Sequence, residues 1–187
     1  PEEVENQLID HHYFGIRNIL GLRGDPPSEV DDTSVKWNSY PYAYQLINQI
    51  QQLNKGQYLE RKGFISKNNT KTDFCIGAAA YPDAPTSTER IQHFKKKIQA
   101  GACYGITQML YDPDSYSRFL EDLAKEGINV PILPGARILK SKSQAEKMQK
   151  KFGIKIPRSY LDSLPETDNP EKALDIFLNL IDSFKSA

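Results

Sequence analysis

Four short apolar runs, each followed by an amphipathic segment with helical spacing, constrain this chain more than any other feature of it. The runs are 17–23, Phe74–Tyr81, Cys103–Tyr111 and Val130–Leu133. A strand followed by a helix before the next strand cannot close a hairpin. It needs a crossover, which makes the sheet mainly parallel and covers it with helices. Phe74–Tyr81 is almost wholly apolar, as a strand buried on both faces must be. The expected architecture is a single α/β domain over residues 1–187. It is either about half of a (βα)8 barrel or a small doubly wound sheet, and the alternation of elements is common to both.

The helices are bounded by local chemistry. Residues 2 to 14 carry a weak apolar face closed by Gly15, and residues 42 to 53 place Leu46, Ile47, Ile50 and Leu53 at helical spacing. Thr86 with Glu89, and Ser141 with Gln144, have capping-box spacing. Asp112-Pro113 and Asn169-Pro170 combine an N-cap residue with proline at the first helical position. Gly24-Asp25-Pro26-Pro27 and Pro134-Gly135 read as strand stops. The last helix is expected to bury Leu174, Phe177, Leu178, Ile181 and Phe184, and residues 55 to 72 read as an irregular excursion.

Composition removes several function classes. The 24 Lys and Arg balance the 24 Asp and Glu, so no domain-wide field draws this chain to nucleic acid or anionic membrane. No apolar run approaches bilayer length and Pro1-Glu2-Glu3 does not open a signal peptide, so a cytoplasmic protein is expected. Cys75 and Cys103 do not make a disulfide framework, no Cys/His cluster has zinc spacing, and no metal is expected. His11 and His12 sit in the first helix as surface or packing residues. Opening on Pro1 and ending just past an amphipathic segment, the sequence reads as cut at both ends.

Ligands of parallel α/β folds gather where strands end. Arg23-Gly24-Asp25 offers a guanidinium, a close backbone approach and a carboxylate, although alone such a triplet more often makes a surface ion pair in a turn. Tyr81 either stacks on a planar ligand or rims the core. His93, Lys95, Lys96 and Lys97 either meet phosphates or form a solvated face. Gln108, in an apolar strand, needs partners once buried and faces either a ligand or a loop. Gln144 has a sufficient role in its capping box. Nucleotide-binding glycine loops and a nucleophile elbow are absent.

In order, Asn18-Ile-Leu-Gly-Leu-Arg-Gly-Asp-Pro-Pro27, Asp73-Phe-Cys-Ile-Gly-Ala-Ala-Ala-Tyr-Pro82, Lys95-Lys-Lys-Ile-Gln-Ala-Gly-Ala102, Ile106-Thr-Gln108 and Pro131-Ile-Leu-Pro-Gly135 resemble the 5,10-methylenetetrahydrofolate reductase family. The resemblance runs through nearly the whole chain. It implies a (βα)8 TIM barrel in which these are the fourth to seventh strands, so the chain holds about four βα units. It also implies FAD, a hydride from NAD(P)H, and reduction of 5,10-methylenetetrahydrofolate to 5-methyltetrahydrofolate for methionine synthesis. The family's acidic residue on its first strand lies outside this sequence, so the segment is expected to be incomplete for catalysis.

By the same resemblance Arg23, Gly24 and Asp25 lie against the flavin. Asp25 also stands near the folate, where it would stabilise the cationic iminium form that accepts hydride. Tyr42, Ala43, Tyr81, His93, Lys96 and Lys97 match cofactor contacts, and Gln108 and Gln144 match glutamines that bind folate. The sequence departs from the family after Tyr81, where about four residues and a histidine are missing. It departs again at Arg90, where an acidic residue is usual, and at Met148, where an aromatic packs on folate. These departures keep a second reading open, a non-catalytic folate- or flavin-binding module, and a third, another barrel enzyme of pterin or one-carbon chemistry. A half barrel standing alone would also carry two unpaired strand edges and tend to homo-oligomerise.

Overall fold

The computed structural model describes residues 1–24, 40–62, 70–83 and 87–186, so Asp25, the prolines after it and the Thr86 cap lie outside the described residues. The elements run α1 (Glu2–Tyr13), β1 (Asn18–Gly21), α2 (Ala43–Asn54), β2 (Cys75–Ala80), α3 (Ser87–Gln99), β3 (Tyr104–Met109), α4 (Pro113–Lys125), β4 (Ile132–Gly135), α5 (Lys142–Phe152), α6 (Arg158–Ser163) and α7 (Pro170–Lys185). The strands form one four-stranded sheet in the order β1-β2-β3-β4. That order runs past the three-strand half of a doubly wound sheet without reversing. With right-handed crossovers it puts successive helices on one face, which is the winding of a (βα)8 barrel.

By internal packing the chain divides into two compact units, Pro1–Ala79 with His93–Gly105, and Ala80–Gln92 with Ile106–Ala187. In the first, β1 and β2 pair in parallel, Asn18 opposite Cys75 and Gly21 opposite Ala78. Ile47, Ile50 and Leu53 of α2 bury completely or nearly so, with Ile76, Ala78 and Phe94 beside them in the core. Asn54 at the end of α2 fixes the entry to β2. Its amide donates to the Phe74 carbonyl at 2.9 Å, and its Oδ1 accepts from Phe74 N–H at 2.9 Å and from the Thr72 hydroxyl at 2.7 Å.

In the second unit Phe119 and Leu123 of α4 are buried, and the Tyr116 hydroxyl donates to the Ile132 carbonyl at 2.7 Å. Asp112 caps α4 as expected, accepting from Asp114 N–H at 3.1 Å, and Asn169 caps α7 by accepting from Lys172 N–H at 3.1 Å.

Three local expectations are corrected. β4 does not stop before Pro134 but includes it and ends on Gly135. Gly135 carries the pairing to β3, its carbonyl accepting from Leu110 N–H at 2.8 Å and its N–H donating to Thr107 Oγ1 at 2.9 Å. The neighbouring Pro134 nitrogen therefore points away from β3, where no ladder donor is needed. A Cβ on Gly135 would collide with the Thr107 carbonyl oxygen, so glycine is what lets β4 approach β3 there. The capping box at Ser141 does not form. The Ser141 hydroxyl donates to Asp168 at 2.8 Å, and Gln144 Oε1 accepts from Lys140 N–H at 2.7 Å, one residue earlier than a box would require. Finally, α7 buries Ala173, Leu180 and Phe184, whereas Leu174 and Leu178 are exposed. The buried stripe is rotated toward α4, where Phe184 meets Tyr116 edge-to-face at 5.4 Å.

Candidate active site

In the second unit the turn after β2 and the end of β3 converge on a cavity of about 250 Å³ bordered by Tyr81, Asp83, Gln108 and Phe152. Tyr81 and Gln108, noticed separately in the sequence, thus line one pocket. Gln108 is exposed rather than buried within its strand, and its Oε1 accepts from Met109 N–H at 2.9 Å. The strand's buried polar residue is Thr107, whose hydroxyl donates to the Gln108 carbonyl at 2.7 Å while accepting from Gly135. Gln144 is not among the residues lining this pocket, its side chain being engaged at Lys140.

Two pocket residues escaped the sequence reading. Phe152 lies one turn beyond Met148 on α5, and apolar residues at that spacing ordinarily face the core. Met148 is indeed buried, but Phe152, one turn on, is 44 % exposed and presents an aromatic ring to the cavity. Asp83 follows Tyr81-Pro82 as an ordinary turn residue. Here burial raises its carboxyl pKa, with a hydrogen bond from Ser115 pulling the other way.

Arg90 has a structural assignment. Its guanidinium donates to Asp122 at 2.8 Å and to the Pro82 carbonyl, and it lies 5.6 Å from the Phe119 ring centroid. It ties the turn after β2 to α4, which accounts for a cation at this position.

The first unit holds the other matched residues. Arg23 and Gly24 are exposed beyond β1. Gly24 adopts φ +78°, and an added Cβ there would meet nothing within 4 Å, which leaves its backbone open to close approach. Tyr42, half exposed, caps α2 and stacks on Tyr44 with ring centroids 5.4 Å apart, while Ala43 begins the helix. His93 and Lys96 are exposed on α3, and Lys96 borders a cavity of about 450 Å³ with Tyr44, Gln45 and Asn48. Lys97 turns inward and donates to the Ala79 carbonyl at 2.7 Å, and burial lowers its pKa to about 8. A guanidinium, an exposed ammonium and an exposed aromatic ring are a donor set suited to a planar, anionic cofactor. Among the described residues no group of three or more His, Cys, Asp and Glu side chains could hold a metal ion, and no helix is long and apolar enough to cross a membrane.

Lys97 makes a pH prediction. Its folded pKa lies below the ordinary lysine value near 10.5, so between about 8 and 10.5 the unfolded state binds more protons and stability rises with pH. From pH 8 to 9.5 the wild type should gain roughly 1–2 kcal/mol. Lys97→Met should abolish this gain, and denaturant midpoints across that range for both proteins check it.

The family profile described as methylenetetrahydrofolate reductase matches residues 1–181. Methylenetetrahydrofolate reductase 1 of Schizosaccharomyces pombe is 31 % identical over 185 residues, covering 96 % of this chain and 28 % of that protein. The 5,10-methylenetetrahydrofolate reductase of Escherichia coli is 29 % identical over 161 residues, covering 84 % of this chain and 46 % of that one. A solved structure described as an uncharacterized protein from Clostridium thermocellum that binds two copies of 5-methyl-5,6,7,8-tetrahydrofolic acid aligns at 26 % identity with TM-score 0.48. It covers 61 % of this chain and 42 % of that one. The chain belongs to the methylenetetrahydrofolate reductase family. Its four βα units are part of that family's TIM-barrel fold, and it spans less than half the length of these curated relatives.

Proposed function

We propose that this chain supplies the folate pocket and part of the flavin site of a reductase. The reductase converts 5,10-methylenetetrahydrofolate to 5-methyltetrahydrofolate with electrons from NADH or NADPH. The observation that carries the reading is the convergence of Tyr81, Gln108 and Phe152 on one cavity in a chain of this family. Such a pocket suits a flat heterocycle with a hydrogen-bonding edge. Gln108 offers both an amide donor and an acceptor, matching the alternating donors and acceptors of a pterin, and the two rings supply apolar faces. Phe152 takes the part of the aromatic that Met148 does not provide. Gln144, which matches a folate-binding glutamine of the family, would have to release Lys140 N–H to reach the folate.

Arg23, Gly24, Tyr42, Ala43, His93 and Lys96 would hold FAD, Lys96 toward its diphosphate, while Lys97, engaged at the Ala79 carbonyl, would have to turn outward to join it. Bound flavin supplies the hydride relay between nicotinamide and folate. Asp25, by its match to the family motif, would stabilise the iminium cation as it accepts hydride. Asp25→Asn in the full-length protein should slow folate reduction about tenfold or more while flavin remains bound. Unchanged folate turnover in a flavin-loaded variant would remove that role. The protein is proposed to act in the cytoplasm.

The second reading, a binding module without catalysis, draws on Arg90, which is held by Asp122, Pro82 and Phe119 where the family usually has an acid at the flavin nucleotide. It predicts folate binding without nicotinamide oxidation.

A further inference from the structure

Cys75 opens β2 and Cys103 immediately precedes β3, and these are the chain's 2 cysteines. They are distant in sequence and belong to no recognisable motif. Parallel pairing nonetheless sets them side by side, with Cys103 N–H donating to the Ile76 carbonyl at 2.8 Å and the two Sγ atoms 3.3 Å apart. Cysteine is among the residues most often buried, yet both are exposed. Adjacent strands lie about 4.8 Å apart, within the Cα separation a disulfide spans. Cys75 N–H donates to the Arg17 carbonyl at 2.8 Å, so the backbone is held on the other side as well, and the sulfurs need to approach by roughly 1.3 Å to reach bonding distance. Tyr104 follows Cys103 and packs its ring over Gly77, and burial, with both thiols adding to it, raises its pKa.

We propose that Cys75 and Cys103 form a dithiol that closes to an intramolecular disulfide by exchange with a low-molecular-weight disulfide such as oxidised glutathione. One cysteine thiolate attacks a glutathione sulfur, forming a mixed disulfide and releasing one glutathione thiolate. The second cysteine loses its proton and attacks the protein sulfur of the mixed disulfide, forming the Cys75–Cys103 bond and releasing the second glutathione. Two electrons pass from the protein to glutathione disulfide, and the two thiol protons leave with the glutathione products or the solvent. The bond would close β2 and α3 into a covalent loop that ends just before β3, and thiol reductants would reopen it.

The full-length protein, incubated with oxidised glutathione, quenched at acid pH and cut with trypsin without reduction, tests the proposal. The expected result is loss of the free peptides Thr72–Arg90 and Ile98–Arg118, recovered instead as one cross-linked species lighter than their sum by two hydrogens, and absent after dithiothreitol. Cys103→Ser should leave only a glutathione adduct on Cys75. Recovery of both peptides as free thiols, recovery of each with its own glutathione, or links between two chains on a non-reducing gel would overturn it.

Discussion

Gln108→Ala in the full-length protein should lower kcat/KM for methylenetetrahydrofolate by about 100-fold and leave the flavin spectrum and nicotinamide oxidation intact. Gln108 stands at the end of β3 with its amide in the cavity shared with Tyr81 and Phe152. A glutamine facing a heterocycle edge makes paired hydrogen bonds, and its truncation leaves the ligand's polar edge unmatched in a partly dry pocket. The cost is about 1–3 kcal/mol for one unmatched group, and about twofold more for a pair. Gln108→Glu is the sharper companion. It keeps size and an acceptor but replaces a donor with charge, so it should also fail on folate while holding cofactor. Stopped-flow spectra separate the half-reactions: reduction by nicotinamide should proceed at the wild-type rate, and reoxidation by folate should slow. If both half-reactions fell together, Gln108 would be a general structural residue of the pocket and its assignment to folate would fail.

Glu5→Ala should destabilise the fold by about 3–5 kcal/mol. Glu5 is 1 % exposed although it lies in the first turns of an otherwise open helix. One carboxylate oxygen accepts from Leu59 N–H at 2.8 Å and the other from the Arg61 guanidinium at 2.8 Å, and the same guanidinium donates to Asn6 at 2.8 Å. Removing the carboxylate strands a part-buried backbone donor and a partly buried cation at once. Glu5→Ala with Arg61→Met should recover much of the loss, because the pair's desolvation cost leaves with it. Urea unfolding of the single and double variants checks both statements, and equal losses in the two would show that the ion pair is not the cause.

The parts of this fold that were legible in the sequence were those with local causes. Asp112-Pro113, Asn169-Pro170 and Gly15 mark helix ends through cap and glycine chemistry that needs no neighbour, and the structure places ends there. Where a side chain's partner is distant, local spacing misled. Ser141 and Gln144 have the spacing of a capping box, yet Asp168 takes the serine and Lys140 N–H takes the glutamine. Leu174 and Leu178 fit an apolar stripe, but the face of α7 that packs is set by α4. Glu5 gave no signal because its acceptor role depends on Leu59 and Arg61, far along the chain.

The site divides in the same way. Tyr81 and Gln108 stand out because each ends an apolar strand, where parallel folds present ligand-facing residues. Their sharing of one cavity, and the presence of Phe152 and Asp83 in it, follow from packing alone. Phe152 was hidden because an aromatic on an amphipathic helix is ordinarily core. Arg90 stood out only as a departure from the family pattern, and its reason emerged when Asp122 and Phe119 came beside it.

The most direct test of the central claim follows the visible spectrum of the full-length protein through one cycle. The protein is incubated with FAD and desalted, then mixed with NADH or NADPH, and finally with 5,10-methylenetetrahydrofolate, all without oxygen. Flavin bands that survive desalting, bleach with the nicotinamide and return on adding folate, with 5-methyltetrahydrofolate formed in step, are the predicted result. A protein left colourless after desalting, or a bleached flavin that folate cannot restore, would contradict it.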